Sequence, residues 1–370
     1  MKVAIIGASE GQKQICIKAK EIGYETYCFA WEQGAICKEL VDHFIPISIF
    51  EMDKIVEYCR DLNLDGVFSN GANRTALVAS YVAEKLGLDC TPYDTMLKIS
   101  NKEYVRKQTQ NIHALQSIKV QTGSIEELIE TFNMPFVLKP IVGGGKKGVY
   151  FINSKDDLKT INLPQDLEFT PFLAEEFIKG KEYSVESLSF RGQHQVIQIT
   201  EKISGGAPHF VELAHHQPAL LSDNLVEKIK NVVPAILTSI GYVTGPSHTE
   251  IKIHNDMIYL IEVNPRGGGD QISNRLIELS TDCDYAKQIC YIATGQFKPC
   301  NVHNLAYSGI YYLCQQTAGL EPIFSDGKAR PTWIEELVIT NEGPLIISEG
   351  NWSRNGYFIY KSDRKIDLKF

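Results

Sequence analysis

Long apolar runs are missing from this chain of 370 residues: no segment holds the roughly 18 or more consecutive apolar residues that a membrane-spanning helix needs. Membrane residence is therefore not expected. The opening stretch, MKVAIIGASEGQ, has one lysine and a short apolar run broken by glycine and charge, where a secretory signal needs a longer hydrophobic region. It reads as a first strand. The nine cysteines form no C-x-x-C pair and are odd in number, which favours reduced thiols in a cytoplasm, most of them simply core residues. Basic runs are absent too, and the formal charge is -8. A general nucleic-acid binder, whose affinity rests on neutralising phosphates, is thereby disfavoured, although local basic sites remain for small phosphates. Internal repeats, low-complexity tracts and long flexible linkers are also lacking.

What is present is a globular composition, 44% hydrophobic and 22% charged, in a chain too long for one ordinary core, so two or three packed units are expected. KVAIIGAS, then GQKQICIKAKEIGYETYCFAW, reads as strand, glycine turn, helix, glycine stop and second strand. The alternation continues through HFIPI, a helix over EMDKIVEYCRDLNL, the strand GVFSN and a helix over NRTALVASYVAEKLGL. This predicts a doubly wound α/β domain over residues 1–95. Beyond a pair of short helices in TPYDTMLKISNKEYVRKQTQ, the strands PFVLKP, GVYFI, FLAEEFI and EYSVESLSF mark an α+β unit. A helix near LVEKIKNVVPAILTSIGY leads to the strands HTEIKIHN and MIYLIEVN and to a helix from about Ile272. The strand-rich tail, 301–370, is expected to be a small third unit.

Two glycine turns invite a nucleotide reading. Gly7, Ser9 and Gly11 sit where a Rossmann phosphate turn would be, but the full G-x-G-x-x-G spacing is absent. A tight turn needing small residues and a phosphate-contacting helix N-terminus both remain open there. A dehydrogenase is disfavoured. GGGKKGV likewise fails the P-loop pattern, having no Gly-Lys-Ser/Thr unit at the required spacing. In MPFVLKPIVGGGKKGVYFI, however, a short strand ends in Lys139 and a loop rich in glycine follows, Gly143, Gly144, Gly145 and Gly148. Such a loop folds over a ligand with its amides exposed. Its plain alternative is a mobile hairpin with solvated Lys146 and Lys147.

The segment HTEIKIHNDMIYLIEVNPRGGG reads as a β-hairpin. A loop with an odd number of residues, centred on Asp256, sets Glu250 directly opposite Glu262, and alternation puts Asn264 on the same face. Two carboxylates and an amide oxygen, with no histidine or thiolate at matched spacing, suit a hard cation that takes its other ligands from phosphate and water. Pro265 stops the strand, and Arg266 then projects a planar, always-charged guanidinium suited to a phosphate or acyl phosphate. The alternative is a polar strand end in which Lys252 or Arg266 pairs with the glutamates; unpaired facing carboxylates repel.

Together these motifs, in this order, resemble the ATP-grasp superfamily, specifically the carboxylate-amine ligases related to carbamoyl phosphate synthetase and biotin carboxylase. The resemblance spans roughly residues 1–300. It implies an N-terminal doubly wound domain followed by a two-subdomain ATP-grasp fold over 96–300, with a lid subdomain at about 115–185. It also implies ATP with Mg²⁺, or Mn²⁺ in its place, as cofactors, small-molecule carboxylate and amine substrates, and a homodimer. Residue by residue, Lys102 and Lys139 look like the two phosphate lysines, and Gly143, Gly144, Gly145, Lys146 and Gly148 like the lid loop. Glu175, Glu176, Phe177 and Ile178 look like the hinge at the base, with Glu175 near the adenine amine, and Glu182 like the ribose glutamate. Glu250, Glu262 and Asn264 look like the metal ligands, and Arg266, with Lys139, like the catalytic cations. GGAPHFVELAHHQPA and GPSHTE look most like L-amino-acid ligases, so that His209, Glu212, His215, His216, His248, Gly268 and Arg275 are candidates for substrate contact. The activity implied is amide formation through an acyl phosphate, with an amino acid as a substrate. A purine- or carbamoyl-pathway ligase and a non-catalytic nucleotide-binding regulator are the alternatives. The last seventy residues match the family's closing domain poorly.

Overall fold

Alternation along the first strand decides how the N-terminal unit is layered. A computed structural model describes the chain except for residues 145–146, 162–166, 168–169, 208–209, 326–329 and 351–352. Four parallel strands, β1 (Lys2–Ile6), β2 (Glu25–Phe29), β3 (His43–Ile45) and β4 (Gly66–Phe68), lie in the order β3-β2-β1-β4. Val3 and Ile5 pack on one face against Ile15, Cys16 and Ala19 of α1 (Glu10–Glu21). Ala4 and Ile6 pack on the other face against α2 (Met52–Cys59) and α3 (Asn73–Lys85). Strands covered on both faces are expected to be apolar throughout, as KVAII nearly is. Ser9 and Gln12 fasten the start of α1, with the Ser9 backbone N–H donating to Gln12 Oε1 at 3.0 Å. A Cβ on Gly71 would stand 2.7 Å from the Gly11 Cα, so these two turns approach more closely than a side chain allows. This favours the plain reading of the first glycine turn.

Two short helices, α4 (Tyr93–Ile99) and α5 (Lys102–Thr109), cross to the second unit. A brief strand β5 (Leu115–Gln116) follows, and then the lid. There β6 (Val120–Gly123), β7 (Phe136–Pro140), β8 (Tyr150–Ile152) and β9 (Phe172–Glu176) form an antiparallel sheet in the order β6-β9-β7-β8. Leu128 and Ile129 of α6 (Ile125–Thr131) close its core over Phe136, Leu138 and Ala174.

The body is a nine-stranded sheet. It contains β5, β10 (Lys181–Phe190), β11 (Gln193–Ser204), β12 (Glu212–Gln217), β13 (Gly245–His254), β14 (Met257–Asn264), β15 (Tyr307–Leu313), β16 (Ile334–Ile339) and β17 (Gly356–Ser362), ordered β16-β17-β15-β12-β11-β10-β13-β14-β5. On one face Tyr183, Val185, Ile199, Ile251 and Leu260 meet Val232, Val233, Ile236 and Leu237 of α7 (Asp223–Ser239). The residues between them, Glu182, Ser184 and Glu186 on β10, therefore look the other way. The period-2 pattern thus makes one face oily and the other chemical.

Two features depart from the sequence reading. The C-terminal strands β15–β17 are joined edge-on to β12 and extend the main sheet rather than standing apart as a small unit. The helix expected from Ile272 opens with one wide turn, Ile272–Leu276, before α8 (Ile277–Ser280). Next, α9 (Tyr285–Ala293) returns to cover β1 and β4, so that Tyr285, Ile289 and Ile292 share a core with Val3 and Phe68. All nine cysteines are unpaired and seven are buried. Among the described residues no helix is long and apolar enough to cross a membrane.

Candidate active site

The hairpin register is the frame on which the site is built. Asn255 and Asp256 alone form the turn, with φ of 49° and 59°, and His254 pairs with Met257. A two-residue turn with both central residues left-handed suits the twist of a hairpin. This corrects the odd-numbered loop expected from the sequence. That turn by itself would slide Glu250 out of line with Glu262. A bulge restores the register: Ile251 pairs with Leu260, Ile261 is the extra residue, and Glu250 pairs with Glu262. The bulged carbonyl of Ile261 accepts from Arg106 Nη2 at 2.7 Å.

Three rungs then cross the polar face. Lys202, Glu182 and Lys252 align on β11, β10 and β13; Ser184, Glu250 and Glu262 form the second rung; Glu186, His248 and Asn264 form the third. Cross-strand neighbours on one face interact directly. Lys202 is buried and meets Glu182 and Glu250 at 2.9 Å and Glu212 at 3.3 Å. Burial opposes its charge, but the three carboxylates outweigh it and hold the lysine pKa well above its ordinary value. His248 lies 2.5 Å from Glu186 and 3.1 Å from Glu250. Burial is again outweighed, and these carboxylates push His248 up to about 9. Against burial, Lys202 and His248 hold Glu250 well below the usual carboxylate range.

A second cluster faces this one from the lid. Lys139, at the end of β7, is buried with its Nζ 2.5 Å from Glu175 Oε2, while Arg106 Nε lies 2.7 Å from Glu175 Oε1. Burial and the nearby Arg106 lower the Lys139 pKa, and the two cations keep Glu175 ionised against burial. The Glu175 carboxylate is thus turned inward onto cations and not toward a nucleobase edge. Glu176 is exposed, and its backbone N–H donates to Lys119 O. Phe177 packs 4.8 Å from Phe151 under Lys252, whose Nζ donates to the Ile178 carbonyl at 3.3 Å. Lys102 links the two clusters, 3.3 Å from Glu262 and donating to the Gly143 carbonyl at 2.8 Å. Gly144 and Gly148 are described; Gly145 and Lys146 lie outside the described residues.

Arg266 is held from the N-terminal unit. Its Nε donates to Asn73 Oδ1 at 3.1 Å and its Nη1 to the Gly267 carbonyl at 2.8 Å. Asn73 Nδ2 in turn donates to Asn264 Oδ1 at 2.8 Å. The glycines that follow are needed for approach: a Cβ on Gly267 would stand 2.4 Å from Asn70 Oδ1, and one on Gly268 2.8 Å from His248 Nδ1. Their N–H groups donate to Asn70 Oδ1 and Glu186 Oε2.

Beyond Gly268 opens a cavity of about 370 Å³, lined among others by Glu10, Gly71, Asp270, Tyr312, Arg354 and Tyr357. Arg354 stacks 3.5 Å over the Tyr312 ring and donates to Asp270 Oδ1 at 3.2 Å and to the Glu212 carbonyl at 2.9 Å. His215 is buried, 3.6 Å from Asp270. Two substrate candidates lie elsewhere: His216 bonds to Tyr360 in the C-terminal core, and Arg275 pairs with Glu278 on its own helix. His209 lies outside the described residues. Among the described residues no group of three or more His, Cys, Asp or Glu is gathered as a metal cage. A cation here would depend on Asn264 and on oxygens brought by a ligand. Reading the sequence missed Asn70, Asn73, Arg106, Glu186, Lys202, Asp270 and Arg354. The polar alternation Gln198-Thr200-Lys202 was a visible signal for one of them; Arg354 had none.

A body sheet, a smaller lid sheet and an N-terminal doubly wound unit around one charged cleft define the ATP-grasp fold, and residues 132–275 match the ATP-grasp domain model. The resemblance read from the motifs is thereby borne out. The structure is similar to that of an L-amino acid ligase from Bacillus licheniformis, with a TM-score of 0.80 and 21% identity over 98% of this chain and 93% of that one. It is also similar to an ADP complex of N5-carboxyaminoimidazole ribonucleotide synthetase, with a TM-score of 0.77 and 17% identity over 98% and 93%. In sequence, carnosine synthase 1 of Mus musculus is 22% identical over 75% of this chain and 38% of its own. The chain spans 35%, 38% and 57% of the length of three curated relatives it matches.

Proposed function

We propose that the chain is an ATP-dependent carboxylate-amine ligase that forms an amide through an acyl phosphate. One observation carries this reading: a single sheet face bears Glu250, Glu262 and Asn264, with Lys102 beside Glu262, Lys139 paired to Glu175 on the lid, and Arg266 joined to Asn264 through Asn73. Two carboxylates and an amide oxygen are hard ligands that leave positions for phosphate oxygens and water, which fits Mg²⁺ and admits Mn²⁺. When bound, that cation supplies charge neutralisation for phosphoryl transfer. Lys102 and Lys139 hold the phosphates beneath the loop of Gly143, Gly144 and Gly148. Glu176, Phe177 and Ile178 present the hinge to the base, and Glu182 meets the ribose.

The chemistry follows from charge placement. A substrate carboxylate oxygen attacks the terminal phosphorus and ADP leaves; Arg266 and Lys139 neutralise charge on the transferring group. The amine then attacks the acyl carbon, phosphate departs and a proton is lost as the amide forms. No covalent enzyme nucleophile takes part. Lid closure excludes water, which would otherwise hydrolyse the acyl phosphate.

An amino acid suits the cavity better than a phosphorylated ribose. Arg354 is the cation among the described lining side chains, and it is already engaged with Asp270, while Glu10 adds a further negative charge. A phosphate would call for free cations, whereas an α-amino acid brings its own ammonium. Glu212 and His248 sit where that group could be oriented. The test is ADP release across pairs of amino acids, with the amide identified by mass. ADP formed only with phosphorylated ribosylamines would shift the reading to the purine alternative. Nucleotide binding without ADP release for any pair would leave a non-catalytic binder.

A further inference from the structure

We infer that Asn73, contributed by the N-terminal unit, is a positioning residue that fixes both Arg266 and Asn264 for phosphoryl transfer; the inference rests on the ligase reading above. The argument is one of hydrogen-bond polarity. A guanidinium can only donate, so the atom of Asn73 facing Arg266 Nε at 3.1 Å must be its oxygen. Its nitrogen is then turned to Asn264, at 2.8 Å, and the atom of Asn264 it meets must be an oxygen. Each amide orientation is thus dictated by the next. With one lone pair engaged by Asn73, the Asn264 oxygen keeps the other for a cation, and the amide cannot rotate to present its NH₂ without losing its bond.

The same contact orients Arg266. Asn73 holds its Nε edge and the Gly267 carbonyl holds Nη1, so the guanidinium plane is set and Nη2 makes no hydrogen bond among the described residues. Asn73 is itself anchored as the first residue of α3, with only Ala72 between it and the turn Asn70–Gly71. Asn70 fastens this turn to the loop beyond Arg266, accepting from the Gly267 N–H at 3.0 Å and donating to Asn274 Oδ1 at 3.1 Å. The Gln12 side chain donates to the Asn70 carbonyl from the start of α1. The N-terminal unit therefore reaches the phosphoryl site through two asparagines three residues apart. Gly144 of the lid loop lies against the same Asn73 amide, its Cβ position 3.6 Å from Nδ2.

Asn73→Ala tests this, with Asn73→Ser, a residue well tolerated at a helix start, in reserve should the alanine variant not fold. Outer-shell partners of a metal site typically alter affinity or activity by about 10- to 100-fold. The expected result is a kcat for ADP release lowered by about that factor, with KM for carboxylate and amine moved less than about threefold. Calorimetry without substrates should give ADP affinity about tenfold weaker with Mg²⁺ and unchanged without it. That Mg²⁺-dependent loss should vanish in an Asn264→Ala background, as it must if Asn73 acts through Asn264. Unchanged kcat together with unchanged Mg²⁺-ADP affinity would overturn the inference. So would an affinity loss equal with and without Mg²⁺, or a loss that persists in the Asn264→Ala background. If the wild-type chain releases no ADP with any substrate pair, the ligase reading falls, and the calorimetric arm still decides the role of Asn73.

Discussion

The two ion clusters of the cleft are built on opposite balances of charge. On the lid side, Lys139 and Arg106 share the one carboxylate of Glu175. On the sheet side, Glu182, Glu186, Glu212 and Glu250 share the Lys202 ammonium and the His248 imidazolium. The first is cationic in surplus and the second anionic. A molecule lying between them meets a positive wall suited to phosphates and a negative floor suited to a metal ion and an ammonium group. On the ligase reading, this division lets a chain with net charge -8 receive a polyanion.

The comparison can be broken from either side. The largest effect is expected from the floor: Glu262→Gln removes one of two facing carboxylates, and ADP release should fall by about 10³-fold, as when a key electrostatic group is lost. The melting temperature should be nearly unchanged, because Glu262 is partly exposed; near-normal turnover would contradict the metal assignment. Lys202→Met should act on the fold itself. It takes the shared cation from Glu182, Glu212 and Glu250, leaving His248 beside Glu250 and Arg354 beside Glu212 but Glu182 with no other ion pair among the described residues, a loss approaching the about 3–5 kcal/mol of a broken buried pair, read as a lowered urea midpoint.

Lys139→Met should behave differently although Lys139 is equally buried. Arg106 remains beside Glu175 at 2.7 Å, so stability should drop by less than about 3 kcal/mol, below the loss from stranding a buried charge. ATP affinity should fall clearly, measured by calorimetry. Equal stability losses for the two lysine variants would erase the distinction between the clusters.

Smallest at neutral pH, and growing only as acid is added, is a pH dependence outside the cleft. His216 is buried against Tyr360, and desolvation, with Lys365 nearby, lowers its pKa to about 3. A histidine depressed in the folded state binds its proton more readily once unfolded. Stability from this group is therefore complete above about pH 6.5 and declines as pH falls toward 3, by about 1.4 kcal/mol per unit. Replacing His216 with Phe should flatten that part of the acid unfolding curve; an unaltered curve would deny His216 this role.

The legible part of the molecule was whatever period and order encode. Alternating β/α signals gave the N-terminal unit, and the order lysine strand, glycine loop, acidic hinge and carboxylate hairpin gave the ATP-grasp fold. Glu250 facing Glu262 was also foreseen, but through the wrong loop. A two-residue turn and a bulge at Ile261 together produce the alignment that an odd loop would have given, and no residue type announces a bulge held by an arginine 155 positions away. Asn70, Asn73 and Arg354 were invisible for the same reason: their partners lie on other units, and polar residues at strand and helix ends are ordinary in sequence. Glu175 was assigned to the base because its neighbours resemble a hinge; its side-chain direction depends on Arg106, which the hinge motif does not contain.

Acyl phosphate formation is the central claim, and oxygen transfer tests it most directly. The chain should be supplied with ATP, an amine and an amino acid whose carboxylate carries ¹⁸O, and the released phosphate analysed by mass spectrometry. Attack of that carboxylate on the terminal phosphorus predicts phosphate containing a labelled oxygen, in step with ADP and amide. Amide formed with wholly unlabelled phosphate would contradict the account.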